Sequence, residues 1–405
     1  MWKKKHDIAV FGEICLVCTL STDTTTTYIK NNNMEERIMK FTCSKEDLLL
    51  AIGTVNKAAS KMQKTILECI LFSCTEDMIT LRATDIALAI KTELSASIEQ
   101  TGTVAIPARL LYEIINRFGE SDVTFSSINE NSIEISCLNS KIVLQQMNAD
   151  EFPVFPELEN KEQIKVQQKV LKAMINQTLF SAAINEDKPI LTGLYFDIEK
   201  NMLTVVALDG YRMAVRRQVV ISDIEKSCVI PARTLREVSR IIGDTEENIK
   251  ISISGNMAQF EVGKTEIYTR LLEGEYIKYK NLLPADGATK VTIETEMLKD
   301  SLERASILAR EGNNNVVKFE ISEKNLEITS NSEMGNIDEQ IPVITVGKNL
   351  KIAFNAKYLL DVLKNLTEPE IMMQYNTAVS PCVIKQENSD EYKYLILPVQ
   401  LREEQ

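Results

Sequence analysis

Few side chains in this sequence could support covalent or metal chemistry. The only histidine among the 405 residues is His6, so nothing from residue 7 onward can supply an imidazole. That removes the serine–histidine and cysteine–histidine pairs that activate nucleophiles, and most zinc sites. The 14 glycines never occur as GxG, and the phosphate-binding pattern GxxxxGK[ST] is absent. The sequence therefore lacks the residue patterns that many enzymes use, and we expect no catalytic residue and no cofactor.

Carboxylates and cysteines are the remaining residues that could hold a metal ion. Asp85 and Asp209 could bind Mg²⁺ in an enzyme that acts on nucleic acid. However, they occupy the same place in two copies of a repeat, and equivalent residues in separate domains do not converge on one ion. Cys15 and Cys18 form a single CxxC without a second pair. We expect no metal site, and unpaired thiols in a reducing cytoplasm.

Basic residues form the clearest pattern of chemical interest. Arg233, Arg236 and Arg240 lie at spacings of three and four, which places them on one face of a predicted helix. No aromatic cluster for base stacking accompanies them. Six helices are predicted, at 45–64, 107–117, 167–179, 231–242, 296–310 and 356–366. Together they carry a net charge of +8. Because the whole chain carries −12, the remaining residues carry −20. If these helices share one surface, that surface suits a polyanion.

The elements that would position these residues recur along the chain. IPAR stands at Ile106–Arg109 and again at Ile230–Arg233, an offset of 124 residues, and FNAK follows at Phe354–Lys357 after the same interval. Asp85, Asp209 and Glu333 share this period. A fixed internal period indicates a repeat architecture. It predicts three domains, at 39–158, 165–284 and 290–405, joined by the polar stretch 157–165 and by the turn LPADGATK.

Each domain also divides into two similar halves. FTCSKEDLLLAI (41–52) and VAIPARLLYEII (104–115) both predict a short strand that runs into an amphipathic helix. Three runs of alternating apolar and polar residues follow each helix, separated by turn-forming residues. The unit is therefore strand-helix-strand-strand-strand, written six times, and the fold class is α+β.

Residues 1–38 differ in composition from the rest. Lys3–Lys5 and the apolar run after them resemble a signal peptide, but Glu13 interrupts the run and no cleavage site follows. TDTTTT and NNN form a low-complexity stretch, whereas Met39 opens directly into a patterned segment. We expect residues 1–38 to be a disordered N-terminal extension, or the result of a start codon assigned upstream of the true one. No run of 18 apolar residues exists, so no membrane span is expected.

The order of several short motifs resembles the bacterial beta sliding clamp family, the processivity subunit of DNA polymerase III. The resemblance covers residues 39–401 and rests on the doubled IPAR helices and on MKFTC (39–43), DEFPVFP (150–156), LDGYRMAV (208–215), FNAKYLLDVL (354–363) and YLILPVQL (394–401). It implies that two head-to-tail chains form a ring of six domains, with helices lining the hole and sheets outside. A non-enzymatic ring of this kind encircles double-stranded DNA without sequence specificity. It would tether the replicative polymerase and repair proteins, and a clamp loader would place it on DNA.

The resemblance also implies where DNA and the second subunit bind. Family positions that contact DNA match Lys61 and Lys188, with Lys64 as a neighbour. With the basic helix residues, the expected DNA-binding set is Lys61, Lys64, Lys188, Arg109, Lys172, Arg233, Arg236 and Arg240. At the dimer junction, Ile142 and Leu144 of one subunit are expected to face Ile307 and Leu308 of the other.

A pocket for short linear peptides of partner proteins is implied between the second and third domains. Its expected residues are Leu191, Leu208, Gly210, Tyr211, Arg212, Met213, Ile277, Asn281, Leu282, Val379, Pro381, Leu395, Leu397, Pro398, Val399 and Leu401. Met213 and Leu397 are expected on facing walls, both partly exposed. The chain departs from the family at Ile277, where proline is usual, and at Asn281 and Gln400, where arginine is common. Glu68 replaces a usual glycine.

Two other functions fit parts of the sequence. A β-rich repeat scaffold that binds only proteins would explain the repeats without DNA. A nucleic-acid enzyme would use carboxylates such as Asp85 and Asp209. Retention on closed circular DNA, but not on linear DNA, separates a clamp from a scaffold.

Overall fold

The structure is a computed structural model that describes residues 39–59, 65–159, 161–184, 187–284, 287–311 and 315–400. The expectations for residues 1–38 therefore lie outside the described residues, as do Lys61, Lys64 and Leu401. None of the described helices is long and apolar enough to cross a membrane.

The described chain contains three successive repeats of the same elements. The first repeat contains β1 (Lys40–Cys43), α1 (Lys45–Val55), β2 (Cys69–Cys74), β3 (Ile79–Thr84), β4 (Leu88–Leu94), β5 (Ser97–Gln100), β6 (Gly102–Pro107), α2 (Ala108–Arg117), β7 (Val123–Asn129), β8 (Ser132–Cys137) and β9 (Ser140–Gln145). The second contains β10 (Glu162–Gln167), α3 (Gln168–Leu179), β11 (Gly193–Glu199), β12 (Met202–Leu208), β13 (Arg212–Val219), β14 (Ile221–Ser222), β15 (Glu225–Pro231), α4 (Ala232–Ile241), β16 (Asn248–Ser254), β17 (Met257–Val262) and β18 (Thr265–Arg270). The third contains β19 (Thr289–Glu294), α5 (Thr295–Glu311), β20 (Val316–Ile321), β21 (Asn325–Ser332), β22 (Gly335–Pro342), β23 (Ile344–Val346), β24 (Leu350–Asn355), α6 (Ala356–Leu363), β25 (Glu370–Tyr375), β26 (Cys382–Lys385) and β27 (Tyr392–Ile396).

The predicted unit of one strand, one helix and three strands is confirmed in all six half-repeats. Helices α2, α4 and α6 begin at Ala108, Ala232 and Ala356, which preserves the 124-residue period. The short strands β5, β14 and β23 between the half-repeats were not predicted. The first helix was predicted too long: α1 ends at Val55, and a 3-10 turn follows at Asn56–Ala58.

The two halves of each repeat exchange their first strands. β1 pairs with β7 rather than with β2, and β6 pairs with β2, so each sheet combines one strand from one half with three from the other. The same exchange joins β10 to β16, β15 to β11, β19 to β25 and β24 to β20. Because both halves share strands, neither half can bury its helix alone, and the repeat is the smallest packed unit.

Sheets also continue from one repeat into the next. β4 pairs antiparallel with β18, with Ile90 opposite Ile267, and β13 pairs with β27, with Ala214 opposite Tyr394. Each junction therefore joins the last strand of one repeat's first half to the last strand of the following repeat. The result is two nine-stranded sheets. Within the described residues, β9 and β22 end their sheets without a partner on the outer side.

The helices lie side by side in one row. Within each repeat the two helices contact each other. Between the first and second repeats, a groove is lined by Leu50 and Thr54 of α1 and by Ile241 of α4. Between the second and third, the Gln177 amide of α3 donates to the Asn365 carbonyl just after α6, at 3.3 Å. The order α2–α1–α4–α3–α6–α5 confirms that the helices share a surface.

The helix charge is smaller than the sequence predicted. With the bounds seen in the structure, the six helices together carry +3 rather than +8, because α1 and α5 each carry −1 and α6 carries no net charge. Lys57 falls in the turn after α1, and Lys61 and Lys64 lie outside the described residues. The basic excess is therefore concentrated on α3 and α4, at +2 each.

Phe180 tests how strongly the second and third repeats are joined. It follows α3 and packs against the core of the third repeat, with its ring 5.9 Å from that of Tyr394. We expect Phe180→Ala to lower the free energy of unfolding by about 2–3 kcal/mol, because a half-buried aromatic contact is lost. Denaturant unfolding at fixed protein concentration measures this. Leu50→Ala, at a residue 72% exposed, is the control and should change it by less than about 0.5 kcal/mol. Equal effects would mean that Phe180 does not hold this junction.

Candidate nucleic-acid and peptide interfaces

Helix α4 presents the predicted row of arginines to solvent. Arg233, Arg236 and Arg240 are all exposed, whereas Leu235 and Val238 between them are fully buried. The apolar residues hold one side of the helix in the core, so the spacing of the arginines sends them to the other side. The predicted common face is confirmed.

Four of the six expected DNA-binding residues that the structure describes are already engaged by carboxylates. The pairs are Arg233 with Asp85 at 2.6 Å, Arg240 with Glu237 at 2.9 Å, Lys172 with Asp244 at 3.0 Å and Arg109 with Glu113 at 3.0 Å. Arg236 and Lys188 are exposed and form no salt bridge with the described residues. These two side chains are therefore the ones most available to an external anion.

Lys57 belongs to the same surface, although the sequence analysis did not select it. Burial lowers the pKa of Lys57 below its ordinary value, and the nearby Arg240 lowers it further, while Glu237 opposes both. These neighbours belong to α4, so Lys57 lies where the first repeat meets the second. Lys57 belongs to none of the sequence motifs, so nothing in the sequence alone pointed to it.

A buried apolar cluster forms the floor of the expected peptide pocket. It contains Leu191, Val206, Leu208, Met213, Val215, Val229, Tyr276, Tyr279 and Leu395. Met213 lies opposite Leu395 in the β13–β27 pairing and is only 2% exposed. The expectation that Met213 and Leu397 are both partly exposed on facing walls is therefore wrong. Met213 and Leu395 lie on paired strands of one sheet, and the Met213 side chain is part of the buried floor of the expected pocket.

Exposed apolar side chains surround this floor and form the rim. They are Tyr211, Ile277, Leu282, Val379 and Leu397, at 62%, 38%, 45%, 67% and 38% exposure. The Leu397 N–H donates to the Tyr211 carbonyl at 2.9 Å, so the chain end and the β12–β13 turn are held together. Gly210 makes that turn possible at φ +93°. Asn281 is exposed, while Pro381, Pro398 and Val399 are half-buried.

Arg212 ties the second repeat to the third directly under this rim. Its guanidinium donates to Asp209 at 3.0 Å, to Asp361 of α6 at 2.6 Å and to the Phe180 carbonyl at 2.5 Å. Arg212 is 8% exposed, and a buried guanidinium requires this many partners. It also lies 4.7 Å from the ring of Tyr358, which stacks on Tyr211 at 6.2 Å.

Tyr358 and Asp361 were missed because FNAKYLLDVL was interpreted only as a repeat helix. Asp209 and Asp85 have arginine partners in separate junctions, Arg212 in one and Arg233 in the other. The two carboxylates do not converge. Within the described residues, no group of three or more histidine, cysteine, aspartate or glutamate side chains is arranged to hold a metal ion.

The segment Leu271–Leu283, here called the strap, crosses the second repeat beside the rim. Its own Tyr276 and Tyr279 side chains are buried, and Tyr276 stacks on Tyr195 at 4.9 Å. The Tyr279 hydroxyl donates to Asp197 at 3.0 Å; burial and this carboxylate raise the pKa of Tyr279 to about 12. Lys280 forms a salt bridge with Glu199 at 2.6 Å. The hydrogen bond between these two side chains raises the pKa of Lys280. The strap is thus fixed by both apolar and charged contacts.

The expected dimer residues lie at the two open ends of the molecule. Ile142 and Leu144 are on the edge strand β9; Ile142 is half-buried, and Leu144 is 7% exposed within the core of its own repeat. Near the end of α5, Ile307 is 59% exposed and Leu308 is half-buried. The monomer does not bring the two pairs together.

Comparison with known proteins gives the same division into three parts. The DNA polymerase III beta subunit N-terminal, central and C-terminal domain models match residues 39–156, 165–278 and 280–400. The beta sliding clamp of Staphylococcus aureus is 31% identical over 375 residues, which cover 89% of this chain and 99% of that protein.

Solved structures agree with these matches. The Bacillus subtilis DNA polymerase sliding clamp is 32% identical, with a TM-score of 0.87, and the alignment covers 90% of this chain and 100% of that one. A DNA polymerase III beta subunit from Eubacterium rectale is 36% identical, with a TM-score of 0.85, over 89% and 99%. Since all three domain models match in order and nearly the whole length of these relatives is covered, the chain belongs to the DNA polymerase III beta subunit family, the bacterial beta sliding clamps.

Proposed function

We propose that two copies of this chain close into a ring around double-stranded DNA and act as a non-catalytic tether for the replicative polymerase and other peptide-bearing partners. The observation that carries the proposal is the repeated junction. Two junctions inside the chain, β4 with β18 and β13 with β27, join the last strand of a first half to the last strand of a repeat. One strand of each kind, β22 and β9, is left at a sheet edge within the described residues. A second copy supplies the missing partner for both.

The pairing register of the internal junctions extends to the proposed one. Residues of β4 and β22 can be matched through the strands beside them. In the first repeat, Phe72 pairs with Leu81, and Leu81 pairs with Thr92 on β4. In the third repeat, Phe319 pairs with Ile328, and Ile328 pairs with Glu339 on β22, so Glu339 corresponds to Thr92. Ile337 on β22 therefore corresponds to Ile90 on β4. Ile90 pairs with Ile267, the third residue of β18, and the third residue of β9 is Ile142. Extended in this way, the register would set Ile142 opposite Ile337 of the second copy.

Side chains at the helix ends support the same arrangement. Phe180 lies twelve residues after the start of α3 and contacts Tyr394, the third residue of β27. Ile307 lies twelve residues after the start of α5, so it is the equivalent of Phe180. Its counterpart across the proposed junction is Ile142, which is the contact that the family resemblance implied. Exposed Ile307 and half-buried Ile142 would then bury each other, a favourable contact.

One charge pair follows from this register and has a precedent within the chain. At the first internal junction, Lys91 opposite Glu266 forms a salt bridge of 3.1 Å. The corresponding residues at the proposed junction are Asp338 on β22 and Lys141 on β9, with the two charges interchanged. A closed ring contains this pair twice.

A charge exchange tests ring closure. We expect Lys141→Glu or Asp338→Lys alone to raise the dissociation constant of the dimer by about tenfold or more, because each places like charges opposite each other at both junctions. The combined variant should recover most of the loss. Analytical ultracentrifugation measures the dimer. Retention on circular DNA after loading by the clamp loader measures closure, and cutting the circle should release the protein.

Two outcomes would contradict closure by this junction. One is a double variant that dissociates as much as the sum of the single variants. The other is equal retention on circular and linear DNA by the unaltered protein, which favours a scaffold that binds only proteins.

The surface of the helix row fits contact with a DNA backbone. Arg236 and Lys188 are exposed and form no salt bridge with the described residues, and Arg233 and Arg240 lie on the same face of α4 as Arg236. Charges of this kind attract phosphates without reading bases, which a protein that moves along DNA requires. Lys61 and Lys64 remain proposed contacts on the resemblance alone.

Reversing the two available charges should weaken DNA association. We expect Lys188→Glu with Arg236→Glu to reduce affinity for a 30-base-pair duplex by about tenfold at low salt and to flatten the dependence of log affinity on log salt. Fluorescence anisotropy over a salt series measures both. Lys200→Glu with Lys324→Glu makes the same charge change in two exposed hairpin turns and should have little effect. A loss of similar size in both variants would remove the helix row as the DNA surface.

The rim and floor fit a short peptide with apolar anchors. Exposed apolar residues above a buried floor offer area that a ligand can cover, at about 25 cal/mol per Å². The proposed site keeps the residues expected from the family, with Tyr211 and Leu397 as anchors in place of Met213. Tyr358 joins it through its stack on Tyr211.

Truncation of the rim should separate partner binding from ring closure. We expect Tyr211→Ala with Leu397→Ala to weaken binding of partner peptides by at least about tenfold, since each exposed anchor contributes on the order of 1 kcal/mol or more. Isothermal titration with peptides from the cognate polymerase measures this, and the dimer should be unchanged. Ile344→Ala with Val346→Ala, exposed apolar residues on β23, is the matched control. Unchanged peptide binding in the rim variant would place the site elsewhere.

A further inference from the structure

A second cleft lies along the strap and adjoins the rim at Ile277. It has a volume of about 690 Å³ and is bounded by the outer face of β11 and β15, by the β16–β17 turn and by the strap itself. Its floor is the stacked pair Tyr195 and Tyr276. Ile277 and Asn281 line this cleft and also belong to the expected wall of the peptide pocket. The two sites therefore share the strap as a common boundary.

The edge of β15 offers backbone groups to this cleft. β15 is the last strand of its sheet, and the Leu272 N–H donates to the Val229 carbonyl at 2.9 Å from outside the sheet. Backbone groups of an antiparallel strand alternate in direction, so the N–H and C=O of Ser227 point the same way as those of Val229. Among the described residues, no backbone hydrogen bond reaches Ser227 from that side. The strap begins a strand pairing with β15 and leaves it after one bond.

The charges of the cleft favour a basic occupant. Asp197 and Lys280 neutralise each other at 3.3 Å. Glu273 and Glu275, on the exposed part of the strap, form no salt bridge with the described residues, and Lys278 is the one opposing charge without a described partner. A ligand cation near Glu273 and Glu275 would meet two free carboxylates.

We propose that this cleft takes the residues that flank the apolar anchor of a partner peptide, in an extended conformation along the β15 edge, with a basic side chain beside Glu273 and Glu275. The proposal rests on the peptide pocket of the proposed function. A peptide anchored at the rim can pass over Ile277 into the cleft without leaving the surface. Strand addition provides affinity from the backbone, and the two carboxylates provide selectivity for charge.

Synthetic extensions test the cleft without altering the pocket. The probe is the shortest peptide that binds the clamp among overlapping peptides of the cognate replicative polymerase. It is compared with the same peptide extended at either end by Lys-Ser-Lys or by Glu-Ser-Glu. At one of the two ends, we expect Lys-Ser-Lys to strengthen binding by about fivefold over the core and Glu-Ser-Glu to give no gain. N-methylation of the extension's backbone should reduce the gain, because it removes the strand hydrogen bonds.

Charge reversal on the strap distinguishes this cleft from general attraction to an acidic protein. In Glu273→Lys with Glu275→Lys, the preference for the basic extension should disappear while the core peptide binds as before. Glu76→Lys with Asp77→Lys, in an exposed turn of the first repeat, is the matched control and should keep the preference. A preference that survives in the strap variant, or is lost equally in the control, overturns the cleft. If none of the overlapping polymerase peptides binds the unaltered protein, the pocket and the cleft are overturned together.

Discussion

The structure depends on strand pairing between successive repeats. A sheet edge carries unpaired N–H and C=O groups. Burying these groups without hydrogen-bond partners costs free energy, and exposing them invites aggregation by strand pairing with another chain. Here β4 meets β18 and β13 meets β27, so each repeat completes the sheet of its neighbour. The helix row follows from both pairings, and the positions of Arg212 and of the exposed apolar rim follow from the second. A change in that register by one residue would turn Met213 to the opposite face of the sheet, where Ala214 packs in the core of the third repeat.

The architecture could be predicted from sequence because its cause is periodic. Hydrophobic alternation and the 124-residue offset identified every half-repeat, and helix starts at Ala108, Ala232 and Ala356 agree with the prediction. The end of α1 was placed too late because Lys57 and the lysines after it fit a helical pattern in composition. The exchange of first strands between halves could not be seen at all, since local pattern does not reveal which strands pair over long separations.

The candidate sites were predicted less evenly, for a physical reason. Exposure of arginines on α4 follows from helical spacing and was foreseen, but their carboxylate partners were not. Asp85 reaches Arg233 from another repeat, and Asp361 reaches Arg212 across a junction. Such pairs depend on tertiary contacts between residues more than a hundred positions apart. Burial of Met213 has the same origin, because its position was inferred from a motif while its exposure is set by the strap and by β27.

The free edges of β9 and β22 bear on how a separated subunit would behave. Each presents a bare row of backbone groups, and the apolar Val143 beside Lys141 is 53% exposed. A monomer therefore carries two adhesive ends that are not self-complementary, and head-to-tail contacts of this type produce filaments when they fail to close. Charged residues such as Lys141, Asp338 and Glu339 on these strands would act as gatekeepers against mismatched pairing. Substitutions that make these edges neutral should therefore favour polymerisation of the single chain.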